Sequence, residues 1–137
     1  MKIIPYLYFN GNAEEALNTY KDIFNGEIPV LQRYSDGPAG MPVPDNYDDK
    51  VMHGRLVFGD VMIYVSDFDR VTGNSPHALS VEFDDVETLE HTYAKMLDHA
   101  EPVFKLQDTF WGAKYAKVTD KFGINWDFNF QHPHSDS

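Results

Sequence analysis

Cysteine is absent from the 137 residues, which excludes a disulfide-stapled scaffold, a cysteine-ligated zinc ribbon and thiol chemistry. Basic residues are scarce: 11 Lys and Arg stand against 22 Asp and Glu, a formal net charge of −11. A field of that sign repels phosphate backbones and anionic headgroups, so neither nucleic acid nor a membrane is an expected partner. Long apolar runs are missing too. The longest, Ile3–Phe9, is interrupted by Pro5 and falls far short of the ~20 residues that span a bilayer. No small-residue cleavage site follows it, and the expectation is a cytoplasmic protein. The chain also lacks a nucleophile elbow, a phosphate loop, an HExxH pair and a Ser-His-Asp ordering, so no catalytic residue can be named.

Apolar material is plentiful. Hydrophobic residues make up 42% and aromatics 15%, with ten Phe and eight Tyr, the composition of a folded chain. A domain of this length buries about two-thirds of its unfolded surface, enough for a core without staples. Residues 1–137 therefore read as a single domain.

Two helices are legible. Ala13, Ala16, Leu17, Tyr20, Ile23 and Phe24 fall on one helical stripe, with Asn12 and Glu15 as a capping box and Gly26 as the stop. Val86, Leu89, Tyr93, Met96, Leu97 and Ala100 repeat the design, with Asp84 and Glu87 as the capping pair and Pro102 as the end. The remaining apolar segments predict strands at Ile3–Phe9, Glu27–Tyr34, Val51–Phe58, Val61–Asp67, His77–Phe83, Val103–Thr109, Gly112–Thr119 and Ile124–Phe130. In order this is strand, helix, three strands, then the same again. The predicted class is α+β: two tandem βαβββ units, 1–67 and 77–130, whose sheets face each other across a cleft. Residues 131–137 read as a polar tail. Ser35–Lys50, with three prolines and no periodicity, is long for a connection and reads as a lid, a dimer contact or a mobile loop.

The segments "PYLYFNGNAEEALNTYKDIFNGE" and "DTFWGAKYAKVTDKFGINWDFNF" resemble the PhnB-like branch of the vicinal oxygen chelate superfamily, which includes glyoxalases, bleomycin-resistance proteins and extradiol dioxygenases. The likeness runs from Ile4 to Phe130. It implies the paired βαβββ fold, a homodimer and, in the enzymes, one divalent metal in the cleft. Many sequences of this branch carry a methyltransferase label, but no glycine-rich loop between a strand and a helix is present here for a nucleoside cofactor.

The resemblance implies metal ligands on the first, fourth, fifth and eighth strands. The eighth keeps a carboxylate, Asp127, on a polar face with Asn125 and Asn129 and opposite Trp126 and Phe128. Closing the central hairpin at Gly59–Asp60 makes paired residue numbers sum to 119, which puts His53, Arg55, Val57, Met62, Tyr64 and Ser66 on the cleft face. The fourth-strand position then falls on Tyr64, a poor ligand because a phenol titrates near ~10. The fifth falls on Ala78. His77 shares its parity with Leu79, Val81 and Phe83 and turns with them to the core. The first strand offers only Pro5, Tyr6, Leu7 and Tyr8. One position of four survives, too few for a tight site, and neither metal nor other cofactor is expected.

His53, Arg55 and Ser66 form the best polar cluster, with His53 opposite Ser66 and within hydrogen-bonding reach. The plainer alternative is a strand histidine satisfied by its neighbours. Phe110–Trp111, in a turn ending in glycine, offers an aromatic rim for a flat ligand or a packing element. Asp67 falls on the buried side and reads as a cap for the following loop. Asp69, Val71 and Gly73 fail the spacing of a calcium loop, and His132 and His134 read as a solvated tail. The expected role is binding of a small-molecule ligand by His53, Arg55, Tyr64, Ser66, Trp111, Asn125, Asp127 and Asn129, with no metal. The rivals are a metal-dependent lyase, isomerase or dioxygenase using Asp127 with His53 or His77, and a structural dimer whose cleft is filled by Tyr6, Tyr8, Tyr64 and Met62.

Overall fold

The central hairpin forms in the expected register. In the computed structural model, which describes residues 1–40, 42–69 and 76–133, β3 (Val51–Phe58) pairs antiparallel with β4 (Val61–Asp67) from Phe58↔Val61 to Gly54↔Val65. Gly59 takes φ +55° in the turn, a conformation in which a side chain is strained. β1 (Tyr6–Phe9) lies parallel beside β4, and β2 (Glu27–Arg33) lies antiparallel beside β3, giving the order β1-β4-β3-β2. The helix α1 (Ala13–Phe24) joins β1 to β2. The second half repeats the plan with β5 (Ala78–Glu82), α2 (Val86–Met96), β6 (Ala100–Asp108), β7 (Ala113–Asp120) and β8 (Asn125–Gln131), in the order β5-β8-β7-β6. The fold is α+β and glyoxalase-like, with one βαβββ motif in each of two compact units, 1–72 and 73–137. Val71, Gly73 and His134 lie outside the described residues.

In the first unit, α1 buries Ala13, Ala16, Leu17, Tyr20 and Ile23 against a sheet face carrying Leu56, Ile63 and Val65. Full burial of each large apolar side chain contributes about 1.5–3 kcal/mol. Close approach depends on Gly54, where a Cβ would stand 2.8 Å from Leu17 Cδ1 and 3.1 Å from Val65 Cγ2. The β2–β3 ladder shifts register between Gln32 and Arg33. Val51 is thereby brought to the core beside Gly54.

Three local expectations change. Asn12 makes no side-chain cap bond. The buried carboxylate of Asp67 takes over, accepting from the Gly11 and Ala13 amides at 2.8 and 2.9 Å and from the Val51 amide at 2.9 Å. Asp67 thus caps the preceding helix, while most of the loop that follows it lies outside the described residues. At the other end of α1 the left-handed residue is Asn25, at φ +53°. Gly26 has a different task, since a Cβ there would lie 2.7 Å from the Val57 carbonyl oxygen.

In the second unit, α2 packs on β8 and buries Leu89, Thr92 and Met96. Its N-cap is Asp85, one residue later than expected, which accepts from the Thr88 amide at 2.7 Å and its hydroxyl at 2.9 Å. The helix ends at Met96, so Ala100 and Pro102 belong to β6. Proline is tolerated there because β6 is an edge strand, as β2 is around Pro29. Trp126 and Phe128 are fully buried, as the β8 parity predicts. Buried Asp120 accepts from the Phe122 and Ile124 amides at 2.9 and 3.0 Å and from the Trp126 indole at 2.9 Å.

The segment 35–50 is anchored along part of its length. It opens on a 3-10 turn, Tyr34–Asp36, and its ends tie together through Tyr34 N–H to Lys50 O and Ser35 N–H to Asp48 O. Tyr47 is buried and its hydroxyl donates to Asn10 Oδ1. Among the described residues no helix is long and apolar enough to cross a membrane.

Candidate functional site

With α1 covering one face of the first sheet, the opposite face presents Tyr6 and Tyr8 from β1, His53 and Arg55 from β3, and Tyr64 from β4. The pairings Tyr6↔Tyr64 and Arg55↔Tyr64 bring these strands into register. The Tyr6 and Tyr8 rings stack at 4.8 Å, and Tyr64 meets Tyr6 and His53 edge-on at 5.6 and 4.9 Å. The Arg55 guanidinium lies over the Tyr64 ring at 4.9 Å, a cation–π contact.

The imidazole of His53 links two of these groups. Arg55 Nε donates to His53 Nε2 at 3.1 Å, and His53 Nδ1 stands 3.0 Å from the Tyr6 hydroxyl oxygen. Guanidinium has no acceptor, so Nε2 must carry a lone pair and the ring proton is assigned to Nδ1. Nδ1–H therefore donates to the Tyr6 oxygen, and the Tyr6 hydroxyl also has a side-chain hydrogen bond with Ser66. Burial, and then the Arg55 charge, hold the His53 pKa below its ordinary value. Burial and the neighbouring Tyr8 raise that of Tyr6, which keeps it a neutral donor.

By NMR titration His53 is expected to protonate below the ordinary imidazole range. Arg55→Gln should raise its midpoint only in part, because burial is the larger cause. A lowered histidine pKa stabilises the fold above the unfolded value of about 6.5. That contribution is lost as pH falls through the folded value.

Ser66 meets this cluster at the Tyr6 hydroxyl instead of at His53. It is 6% exposed and donates to the Met52 and Asp67 carbonyls at 2.9 and 3.2 Å. The β3–β4 ladder ends at Gly54↔Val65, and beyond it the hydroxyl turns its hydrogen to backbone carbonyls.

On the second sheet Asn125, Asp127 and Asn129 share the expected polar face of β8, and every one is held. Asn125 accepts from the Thr119 hydroxyl at 2.7 Å and donates to the His77 carbonyl at 3.0 Å. Asn129 donates to Glu82 at 2.8 Å. Asp127 forms an ion pair with Lys117 at 2.7 Å, and the same bond raises the Lys117 pKa. Sequence reading missed Lys117, although a signal existed: Asp120 and Gly123 suit the first and last places of a type I turn. The structure closes that turn with Gly123 N–H to Asp120 O, and the register it sets places Lys117 opposite Asp127. The β5 residue paired with Asp127 is Ser80 in place of His77 or Ala78. Trp111 is half-exposed at the β6–β7 turn, edge-on to Phe110 at 4.9 Å and Tyr115 at 6.1 Å. His132 reaches Asp108 at 3.1 Å. Among the described residues no three His, Asp or Glu side chains gather as a metal shell would require.

Comparison with known proteins accords with this geometry. A family model described as 3-demethylubiquinone-9 3-methyltransferase matches residues 1–129. The protein YjdN of Escherichia coli K12 is 28% identical over 142 residues, covering 94% of this chain and 95% of that protein. Protein PA1353 from Pseudomonas aeruginosa superposes with a TM-score of 0.85 at 29% identity, over 97% of this chain and 99% of the other. The PhnB protein from Bacillus cereus gives 0.76 at 23% identity, over 95% and 99%. The chain belongs to this PhnB-like 3-demethylubiquinone-9 3-methyltransferase family, with the vicinal oxygen chelate fold.

Proposed function

We propose that the protein binds a small organic molecule without a divalent metal, as a cytoplasmic homodimer of the PhnB-like branch. The observation that carries this reading is the Lys117–Asp127 ion pair. The one carboxylate at a family ligand position is already neutralised by a cation. The other positions hold phenols and the methyl group of Ala78. Such donors do not fit zinc or nickel, because too few replace the waters that the ion must lose. The methyltransferase description of the family gains no support from these residues, since no glycine-rich strand-to-helix loop offers a nucleoside site. The tyrosine face around His53 and Arg55 supplies what a small ligand needs: aromatic walls and a few directed polar groups.

Two titrations test the reading together. Zinc or nickel added to untagged protein should show no tight site. A small organic hit from a thermal-shift screen should stabilise the protein equally in EDTA and in added zinc. One tight metal site per chain that Asp127→Ala abolishes would overturn the proposal.

A further inference from the structure

Arg55 departs from the charge pattern of the chain. Acids outnumber bases two to one, and other cations take carboxylates: Arg33 with Glu14, Lys114 with Glu90, Lys117 with Asp127. Among the described residues Arg55 meets none. Its Nε is used on His53 Nε2 and its plane lies over Tyr64, while its two terminal nitrogens donate to no described residue. A shortage of acids cannot explain this. A half-buried guanidinium beside aromatic rings gains strongly from a counter-ion, and its two terminal N–H groups match a planar carboxylate.

Tyr6 adds no second free donor. Its oxygen accepts from His53 Nδ1–H, and its hydroxyl also has a side-chain hydrogen bond with Ser66. A phosphate ester, with close to two charges, is ordinarily met by several cations or a helix N-terminus. A single guanidinium suits a monoanion.

Resting on the ligand-binding reading above, we infer that this face takes a small organic carboxylate, with the carboxyl group on the terminal nitrogens of Arg55.

The test uses two probes on the full chain, followed by NMR titration: 4-acetylbenzoate and its uncharged amide 4-acetylbenzamide. The acid should bind at least about tenfold more tightly than the amide, the effect of one charge-assisted hydrogen-bonding pair. Arg55→Gln should bring that ratio close to one, and Arg55→Lys should retain part of it. Equal binding of acid and amide, or a preference that survives in a folded Arg55→Gln protein, overturns the carboxylate site while leaving ligand binding intact. No binding of any probe at about 10 mM, weaker than the millimolar range in which single contacts register, also overturns it. The thermal-shift screen then decides the broader reading separately.

Discussion

Replacing Asp67 with alanine is expected to cost about 4 kcal/mol of folding stability and to lower the melting temperature by roughly 15 °C. The side chain is fully buried and accepts from three backbone amides, those of Gly11, Ala13 and Val51. Alanine leaves three N–H groups without an acceptor in the interior, and each such loss costs about 1–3 kcal/mol before relaxation. Asp67→Asn should cost roughly half as much. Its oxygen can still serve Gly11 and Ala13, whereas its amide would oppose the Val51 N–H donor to donor. Urea denaturation of the two variants reads the difference. If Asp67→Ala unfolds within about 1 kcal/mol of the parent, the carboxylate does not hold the helix start and the third strand together.

Asp120→Ala should be the next most damaging change, at about 3 kcal/mol. Asp120 closes the β7–β8 turn through Phe122 and Ile124 and fixes the Trp126 indole, itself 1% exposed. The variant is best made with Trp111→Phe, so that Trp126 alone reports by fluorescence. Loss of the indole bond should shift its emission in the native state, before any unfolding. An unchanged spectrum together with unchanged stability would contradict the structure at this point.

The parts of the fold that were legible are those governed by short-range periodicity. The β8 alternation assigned Trp126 and Phe128 to the core and Asn125, Asp127 and Asn129 to the polar side. A two-residue turn at Gly59–Asp60 fixed the β3–β4 register. What failed depends on residues far apart in the chain. Asn12 has the chemistry of a cap, but Asp67, 54 positions from Ala13, does that work. Gly26 looked like a helix stop, yet it is required by the Val57 carbonyl on another strand. Pro102 looked like a helix end because proline is rare in strands, and only edge placement admits it. At the site, His53 and Arg55 were found by parity. The bond between His53 and Tyr6 was not, because it joins the third strand to the first. Lys117 was within reach once the Asp120–Gly123 turn set its register.

In each unit the first strand pairs with the last, β1 with β4 and β5 with β8. On a ribosome this imposes a delay. Phe9 leaves the tunnel more than fifty residues before its partner Asp67, which at translation rates of about 5–20 residues per second is a wait of roughly 3–10 s. Over that interval the Tyr6–Phe9 segment has its edges unpaired and its tyrosines in water. Two features suit a strand that must remain single until its neighbour arrives: it is only four residues long, and Pro5 directly before it has no amide hydrogen to offer a wrong partner.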